Sequence, residues 1–325
     1  MSRNPAILVT AVGGLIGQGI LRSLRQNQST HRLVGLDRSH NAYGASLCDI
    51  SLRKPCAETD AAYLPWLREV IEREQIRLVL PGIEEDVFFF HDHRAAMSGW
   101  PAQIALNSPA VIEAGRDKWR LHTELLRHEL PAIPTTRPTD WSGLCEILGE
   151  PPFIAKARRG SGSRGLRILG GEPEWHRDRH LLGEGFIIQK LVGSDDEEYT
   201  VGLFGYGDGQ SSDLFVLRRR LWSGGTWQAE TVAPDEALAR FCAALTRVFK
   251  PIGPTNYQFR RAGDNWHLLE INPRISAATA IRAGFGFNDA MLCVEHYLCG
   301  QPRPQPRNVR QGKCQRYVTE FIEFT

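Results

Sequence analysis

The chain contains 325 residues, of which 39 are Lys or Arg and 37 are Asp or Glu, so its formal net charge is +2. A charge this close to zero argues against a surface that wraps nucleic acid. Hydrophobic residues make up 42% and charged residues 23%, which is typical of a globular protein and excludes disorder. No apolar run approaches the roughly 18 residues that a membrane-spanning helix needs. Seven scattered cysteines without a CxxC pair, and no signal-peptide pattern at the start, predict a cytoplasmic protein without a disulfide framework.

The first hundred residues alternate apolar runs with helical periodicity. A strand, a glycine-rich turn, a helix and a second strand follow one another, and a further helix and strand come next. The expected strands and helix are Ala6–Ala11, Arg32–Asp37, Tyr63–Glu74 (the helix) and Arg77–Leu80. This order predicts a small doubly wound domain with a parallel sheet over residues 1–108.

The pattern changes after residue 108. Long helices are expected over Val111–Leu130 and Asp235–Phe249, and prolines mark a crossover after the first of them. The expected strands are Phe153–Ala157, Leu166–Leu169, Phe186–Gln189, Glu198–Phe204, and a hairpin of Asn256–Arg261 with Trp266–Ile271. This mixture predicts an α+β region over residues 109–300, in two parts (109–185 and 186–300), and a surface tail over 301–325.

The first glycine cluster permits two interpretations. Gly14 and Gly17 match the second and third glycines of a dinucleotide fingerprint, but Val12 occupies the first position. Asp37 stands where such a site places its ribose-binding acid. An NAD-linked oxidoreductase is therefore one alternative. The other is that these glycines only make a tight turn and let a helix pack on the sheet.

A second glycine-rich loop has the composition of a phosphate-binding hairpin. Lys156 lies inside an expected strand, and two arginines and the run Gly160–Gly165 follow it. Glycines leave backbone N–H groups free to point at an anion, serine hydroxyls add donors, and the lysine adds a point charge. The alternative is a flexible basic surface hairpin.

The run LLEINPR over 268–274 points to a metal-phosphate site. Glu270 and Asn272 are two residues apart on a strand and therefore share one face. Carboxylate and amide oxygens are hard ligands suited to Mg²⁺ bound with phosphates, and Gln258 on the neighbouring strand adds a third oxygen. Arg274 follows and offers a bidentate grip on an anion.

Together these motifs resemble the ATP-grasp superfamily. RDKWR, FIAKARRGSGSRGL, IIQKLVG followed by EEYTVGL, and LLEINPRIS occur in the family's order over about residues 6–300. Within the superfamily, the chain most resembles a single-grasp form of the carbamoyl phosphate synthetase large subunit. The resemblance implies a pre-ATP-grasp domain, α/β and doubly wound, followed by a two-subdomain ATP-grasp fold.

The resemblance also implies roles for individual residues. Nucleotide binding would involve the phosphate lysines Lys118 and Lys156, the lid and its flank (Arg158, Gly160, Ser161, Gly162, Ser163 and Gly165), the adenine hinge (Gln189, Lys190, Leu191 and Val192) and the acid Glu198. Mg²⁺ (or Mn²⁺) would be held by Gln258, Glu270 and Asn272. Lys156 and Arg274 would be catalytic, with Arg274 steadying the transferred phosphoryl group or acyl-phosphate. The family usually has Glu where Gln189 stands, which weakens the expected ribose contact.

The implied activity is an ATP- and magnesium-dependent ligase. It would phosphorylate a carboxylate and couple the acyl-phosphate to an amine, of an amino acid or small peptide, releasing ADP and phosphate. The expected partners are these small molecules, with neither nucleic acid nor a membrane, and a homodimer stays open. A nucleotide-binding regulatory protein without catalysis is a further alternative, although the metal-binding set is intact.

Four other clusters have plainer explanations. His91 and His93 resemble surface residues of an amphipathic helix more than metal ligands. The Arg218–Arg220 run is expected beside the cleft, with Trp222–Trp227 as a glycine-hinged loop over the substrate. Glu84, Glu85 and Asp86 follow a strand end, where α/β sheets bind ligands. They either hold a substrate ammonium or simply begin a helix, whose N-terminus favours acids.

Overall fold

The computed structural model describes residues 5–26, 30–39, 41–55, 62–160, 165–222, 225–317 and 322. Its strands are β1 Ala6–Thr10, β2 Leu33–Asp37, β3 Ile50–Arg53, β4 Ile76–Leu80, β5 Gln103–Ile104, β6 Thr135–Thr136, β7 Phe153–Ala157, β8 Arg167–Leu169, β9 Phe186–Lys190, β10 Glu198–Tyr206, β11 Phe215–Trp222, β12 Gly225–Val232, β13 Ile252–Ala262, β14 Asn265–Asn272 and β15 Lys313–Gln315. Its α-helices are α1 Leu15–Gln26, α2 Tyr63–Arg73, α3 Glu84–Asp92, α4 Pro109–Arg116, α5 Lys118–Arg127, α6 Trp141–Leu148, α7 Glu172–Asp178, α8 Glu236–Phe249, α9 Thr279–Gly284 and α10 Asp289–Cys293.

The first sheet is parallel throughout and has the order β3-β2-β1-β4-β5. Its central strand β1 is apolar along its whole length because both faces are covered, as in other doubly wound sheets. Helix α1 begins close to the end of β1. A Cβ at Gly17 would lie 2.3 Å from the carbonyl oxygen of Ala11, so only glycine allows this approach. The packing interpretation of Gly17 is therefore supported.

The remaining residues build two antiparallel sheets. The smaller has the order β6-β9-β7-β8, and α6 and Trp175 of α7 cover it with a core of their own. The larger has the order β14-β13-β10-β11-β12-β15. The predicted hairpin of β13 and β14 is present, with one irregularity in register between Gln258 and Phe259. The predicted fold class, a parallel-sheet domain followed by antiparallel α+β structure, is confirmed.

Two expectations about individual elements are wrong. The helix expected over Val111–Leu130 is two helices, because Asp117 adopts an extended backbone between them and its side chain accepts from the amides of Trp119 and Arg120. The loop expected from Trp222 to Trp227 is shorter, since Trp222 ends β11 and Gly225 begins β12. In the predicted surface tail, Lys313–Gln315 form the edge strand β15 beside β12.

The large sheet has a hydrophobic layer on each side. One face packs on α5 and α8, and this layer contains Tyr257, Phe259 and Ile271. The other contributes to a layer shared with α1, α9, α10 and the parallel sheet, so the core is continuous across the predicted boundary at residue 108. Within the described part of the chain, no helix has both the length and the apolar composition to cross a membrane.

A buried arginine joins helix α9 to this sheet. The side chain of Arg282 is fully buried, and its guanidinium lies 3.6 Å from the carboxylate of Asp289. It donates to Thr200 Oγ1 at 2.9 Å. A Cβ at Gly202 would lie 2.6 Å from the same guanidinium, so glycine makes room for it on the sheet.

Candidate functional site

A narrow cleft lies between helix α5, strands β7 and β9 of the small sheet, and strand β14 at the edge of the large sheet. Its lining combines cationic and amide groups with apolar side chains: Lys118, Leu121, His122, Leu125, Ile133, Lys156, Gln189, Leu268 and Leu269. Lys118 begins α5, Lys156 comes from β7 and Gln189 from β9. The structure thus brings together three predicted nucleotide-binding residues that are up to 71 positions apart in the chain.

Lys156 lies in the cleft among several charged groups that affect its pKa. Its Nζ donates to Gln189 Oε1 at 2.8 Å. Burial, together with the positive charges of Lys118 and Arg260, lowers the pKa of Lys156 to about 8, although the carboxylate of Glu270 opposes the shift. Charges from helix α5 and from the large sheet therefore act on one ammonium group of the small sheet, where an anionic partner would favour the protonated form.

Lys118 and the start of the phosphate loop are held by a short network. Lys118 Nζ donates to the carbonyl of Gly160 at 2.7 Å, and its amide donates to the carbonyl of Arg158 at 3.0 Å. The guanidinium of Arg158 is paired with Asp117, with N–O distances of 2.7 and 2.6 Å. Gly160 has φ of +107° and Gly165 has φ of +72°, values that favour glycine. The predicted Ser161, Gly162 and Ser163 lie outside the described residues.

The predicted hinge connects β9 to the large sheet. Gln189 Nε2 donates to Thr135 Oγ1 at 2.7 Å, so its amide links Lys156 to the neighbouring strand β6. The amides of Lys190 and Leu191 donate to the carbonyls of Pro134 and Pro152. The ammonium of Lys190 contacts the carbonyl of Glu150, away from Lys156.

The residues expected to bind metal lie side by side on β13 and β14. Gln258 is the direct cross-strand partner of Glu270, and Asn256 is that of Asn272. Asn272 Nδ2 donates to Glu270 Oε1 at 3.1 Å. This donor set has three oxygen-bearing groups but only one negative charge. It fits Mg²⁺ that obtains its other ligands from phosphate oxygens.

Arg274 extends this cluster to the parallel-sheet domain. Its guanidinium donates to Asn272 Oδ1 at 3.0 Å and to the carbonyl of Ile275 at 3.3 Å. It also lies 3.5 Å from the carboxylate of Glu84 at the start of α3. The acids after β4, for which the sequence left two roles open, therefore begin a helix, and one of them also faces the predicted catalytic arginine.

Two arginines that the sequence motifs did not assign to the nucleotide site surround Glu198. Glu198 Oε1 accepts from Arg219 at 2.9 Å, and Glu198 Oε2 lies 3.4 Å from Arg260. Both arginines have a buried Nε without a hydrogen-bond partner among the described residues. Arg260 was detectable, since Asn256, Gln258 and Arg260 alternate along one strand and so share a face. Arg219 was not, because its strand β11 was missed.

The other basic and histidine clusters are neutralised by acids. Arg218 lies 3.0 Å from Glu197, and Arg220 lies 2.8 Å from Asp196, so the arginine run pairs with the acidic segment before β10. His91, Asp92 and Glu113 lie together, and Arg116 and Arg120 pair with the two carboxylates at 2.7 and 2.9 Å. These ion pairs favour the structural interpretation of both clusters.

The first glycine turn uses its acid internally. Asp37 Oδ2 accepts from the amide of Gly13 at 2.7 Å, and Asp37 Oδ1 accepts from the amide of Ser39 at 2.9 Å. Both oxygens expected to bind a ribose therefore hold the turn. This arrangement favours a structural role over dinucleotide binding.

A family model and two curated relatives match parts of the chain. Residues 187–321 match the family model described as ATP-grasp in the biosynthetic pathway with Ter operon. Pyruvate carboxylase of Staphylococcus aureus is 26% identical over 191 residues, which are 51% of this chain and 16% of that protein. An uncharacterized protein of Sinorhizobium fredii is 28% identical over 148 residues, which are 38% of this chain and 28% of that protein. The matched segments cover less than a third of the length of either relative.

Solved structures match nearly the whole chain. N5-carboxyaminoimidazole synthetase from Staphylococcus aureus, complexed with ADP, has a TM-score of 0.75 at 14% identity over 96% of this chain and 81% of that one. Biotin carboxylase from Campylobacter jejuni has a TM-score of 0.71 at 16% identity, covering 96% and 75%. L-amino acid ligase from Bacillus licheniformis has a TM-score of 0.68 at 14% identity, covering 92% and 75%.

The predicted resemblance to the ATP-grasp superfamily is confirmed over residues 187–321 by the family model, and the solved structures show that the chain has the same fold. The more specific likeness to the carbamoyl phosphate synthetase branch stays a prediction. The roles of the individual site residues also stay predictions.

Proposed function

We propose that this protein is an ATP-dependent ligase that joins a carboxylate to an amine and releases ADP and phosphate. The observation that carries the proposal is the proximity of two sets of groups. Lys118 and Lys156 line the cleft, the charge of Glu270 acts on Lys156, and Glu270, Asn272 and Arg274 are linked to one another by hydrogen bonds at the end of β14. Phosphate-binding cations at one end meet hard oxygen ligands and an anion-binding arginine at the other.

In this proposal ATP occupies the cleft beneath α5. The backbone groups of Lys190 and Val192 would receive adenine, and the amides already used by Lys190 and Leu191 would keep the hinge rigid. Gln189 and Glu198 would lie near the ribose, with Glu198 also holding Arg219 and Arg260 in place. Lys118, Lys156, Arg158 and the Gly160–Gly165 loop would face the phosphates.

Gln258, Glu270 and Asn272 would hold Mg²⁺ (or Mn²⁺) with the nucleotide. The metal would supply charge that offsets the negative charge on the transferred phosphoryl oxygens. Lys156 would contribute the same kind of stabilisation from the other side of the cleft, since a fixed ammonium in a poorly hydrated site acts more strongly than in water. Arg274 would bind the substrate carboxylate and then the acyl-phosphate.

The chemistry consists of two transfers. A carboxylate oxygen attacks the γ-phosphorus, the bond to the bridging oxygen breaks, and ADP leaves. The resulting acyl-phosphate has a good leaving group, so an amine attacks its carbonyl carbon and phosphate departs with the proton that the amine loses. A covering loop protects such an intermediate from water. None of these steps requires a nucleophilic side chain.

A turnover assay with a matched pair of variants tests the proposal. ADP release from Mg-ATP is measured over a panel of carboxylates with and without amines, and products are identified by mass spectrometry. We expect Glu270→Ala to abolish carboxylate-dependent ADP release, while Glu146→Ala, at an exposed site on α6, has no effect. Retained turnover in Glu270→Ala, or no ATP binding in the presence of Mg²⁺, would contradict the proposal.

The same preparation tests the two alternatives. ATP binding without any turnover across the panel would favour a regulatory nucleotide-binding protein. Thermal protection by NAD and none by ATP would favour the oxidoreductase.

A further inference from the structure

The ion pair between Glu84 and Arg274 connects two parts of the molecule that are far apart in the sequence. It joins the start of α3 in the parallel-sheet domain to the end of β14 in the large sheet. The two side chains are only 11% and 13% exposed, and a terminal nitrogen of Arg274 lies 3.5 Å from a carboxylate oxygen of Glu84.

Arg274 has unused capacity to bind an anion. Its two terminal nitrogens contact Ile275, Asn272 and Glu84, and its buried Nε has no hydrogen-bond partner among the described residues. A guanidinium presents five N–H donors, of which a carboxylate typically takes two. Because Arg274 also contacts Asn272, a carboxylate bound there would lie beside the predicted metal-binding oxygens.

Glu84 is the acid of its segment that faces this arginine. Glu85 is exposed to solvent, and Asp86 is buried with its carboxylate 3.3 Å from Lys54 Nζ. The backbone before Glu84 is held tightly, because the amide of Gly82 donates to Thr10 Oγ1 at 3.0 Å. A Cβ at Gly82 would lie 1.9 Å from the carbonyl oxygen of Thr10, so the turn that aims Glu84 has little freedom to move.

We propose that the Glu84–Arg274 pair is a receptor for the ammonium and carboxylate groups of an amino acid, which is the carboxylate substrate. This inference rests on the proposed ligase function and names its substrate class. The two charged groups of an α-amino acid are about 3 Å apart by ordinary bond lengths, which matches the spacing of the pair. Lying antiparallel to the pair, the substrate would place its carboxylate on Arg274 and its ammonium on Glu84.

The same pair disfavours a simple carboxylate. A monocarboxylate on Arg274 would lie next to the negative charge of Glu84 with no ammonium to offset it, and like charges at such a distance repel. Discrimination of this kind uses a repulsive element in addition to an attractive one. The amine that attacks in the second step is not specified by this pair.

The experiment uses the full chain with Mg-ATP and hydroxylamine as the amine. Hydroxylamine attacks the acyl-phosphate carbon, the carbon–oxygen bond to phosphate breaks, and a hydroxamate and inorganic phosphate form. The panel pairs each common α-amino acid with its 2-hydroxy and unsubstituted analogues. We expect amino acids to give hydroxamates, and the analogues of the best amino acid to have kcat/KM values lower by about 10- to 100-fold, as for the loss of a charged hydrogen bond.

Two variants isolate the role of Glu84. Glu84→Gln should lower kcat/KM for the best amino acid by about 10- to 100-fold. It should also remove most of the preference over the analogues and leave the Kd for Mg-ADP unchanged. Glu85→Gln, one residue away and solvent-exposed, should behave as the wild type. If Glu84→Gln does not fold, Glu84→Asp, which draws the carboxylate back by one methylene, should show the same loss of preference.

The outcomes separate this inference from the proposed function. Hydroxamates formed from the analogues as readily as from amino acids would overturn the inference and leave the ligase function intact. The inference is likewise overturned if Glu84→Gln keeps the full preference, or if non-amino carboxylates alone react. If no carboxylate of any kind stimulates ADP release, both the proposed function and this inference are wrong.

Discussion

Nucleotide binding should weaken as the pH rises from 7 to 9 because of one lysine. The pKa of Lys156 is lowered to about 8, mainly by burial and by the charges of Lys118 and Arg260. Phosphates bound beside Lys156 favour its protonated form, so they raise its pKa in the complex. Above pH 8 the free protein must take up a proton to bind, and the affinity falls.

The size of the effect follows from the titration. With a pKa of about 8, Lys156 is mostly protonated at pH 7 and about one tenth protonated at pH 9. If the bound phosphates return the pKa to its ordinary range near 10.4, the apparent Kd for nucleotide rises about tenfold between these two pH values. The affinity can only fall in this range, because a lysine whose pKa is depressed in the free protein loses its charge earlier than one bound to an anion.

Isothermal titration calorimetry with a non-hydrolysable ATP analogue and Mg²⁺, at constant ionic strength, measures how the apparent Kd changes between pH 7 and pH 9. Lys156→Met should bind weakly and with little pH dependence, and its scan also measures the titration of the nucleotide itself. Lys313→Met is the matched control, because the Lys313 side chain is exposed on the edge strand β15, where it pairs with Glu230. A flat profile in the wild type, or the same slope in Lys156→Met, would refute the reasoning.

The remaining predictions concern stability and the frame of the cleft. Gly17→Ala places a Cβ 2.3 Å from a backbone oxygen and should lower the free energy of unfolding by about 1–3 kcal/mol. Gly14→Ala is the control, because its Cβ would lie no closer than 3.4 Å to another atom, and it should be close to neutral. The melting temperatures of the two variants are compared with that of the wild type. Asp117→Ala removes the cap of α5 and an ion pair, so denaturant unfolding should show a loss of about 1–2 kcal/mol and calorimetry a weaker nucleotide affinity. An unchanged affinity would mean that the network around Asp117 does not shape the cleft. Arg282→Met leaves the buried Asp289 without its cation and should cost about 3–5 kcal/mol in denaturant unfolding, and a smaller loss would show that Asp289 becomes neutral.

Local sequence patterns determined much of the fold. Continuous apolar runs, helical periodicity and the glycine-rich turn predicted β1, α1, β2 and α2 to within a few residues. The hairpin of β13 and β14 was equally predictable, because the alternation of side chains along each strand and the Gly-Asp-Asn turn are local features of the sequence. Where a capped break interrupted a helical pattern, at Asp117, periodicity alone did not detect it.

Candidate site residues could be predicted where residues with suitable side-chain chemistry alternate within one short segment. Glu270, Asn272 and Arg274 alternate along one short run, so their shared face was predictable, and their mutual contacts follow from it. Strand β11 was missed because its outer half reads as a basic run. The three arginines of this strand pair with acids at positions 196–198. These ion pairs join distant parts of the sequence, so a local pattern cannot predict them.

The sequence by itself therefore determined the class of fold, the order of the motifs and the residue types of the predicted phosphate and metal sets. The tertiary structure alone decided which charges share one cleft. The lowered pKa of Lys156 depends on groups from α5, β13 and β14, and the Glu84–Arg274 pair joins residues 190 positions apart. The physical reason is that charges and desolvation act through space, whereas a sequence pattern reports only what lies along the chain.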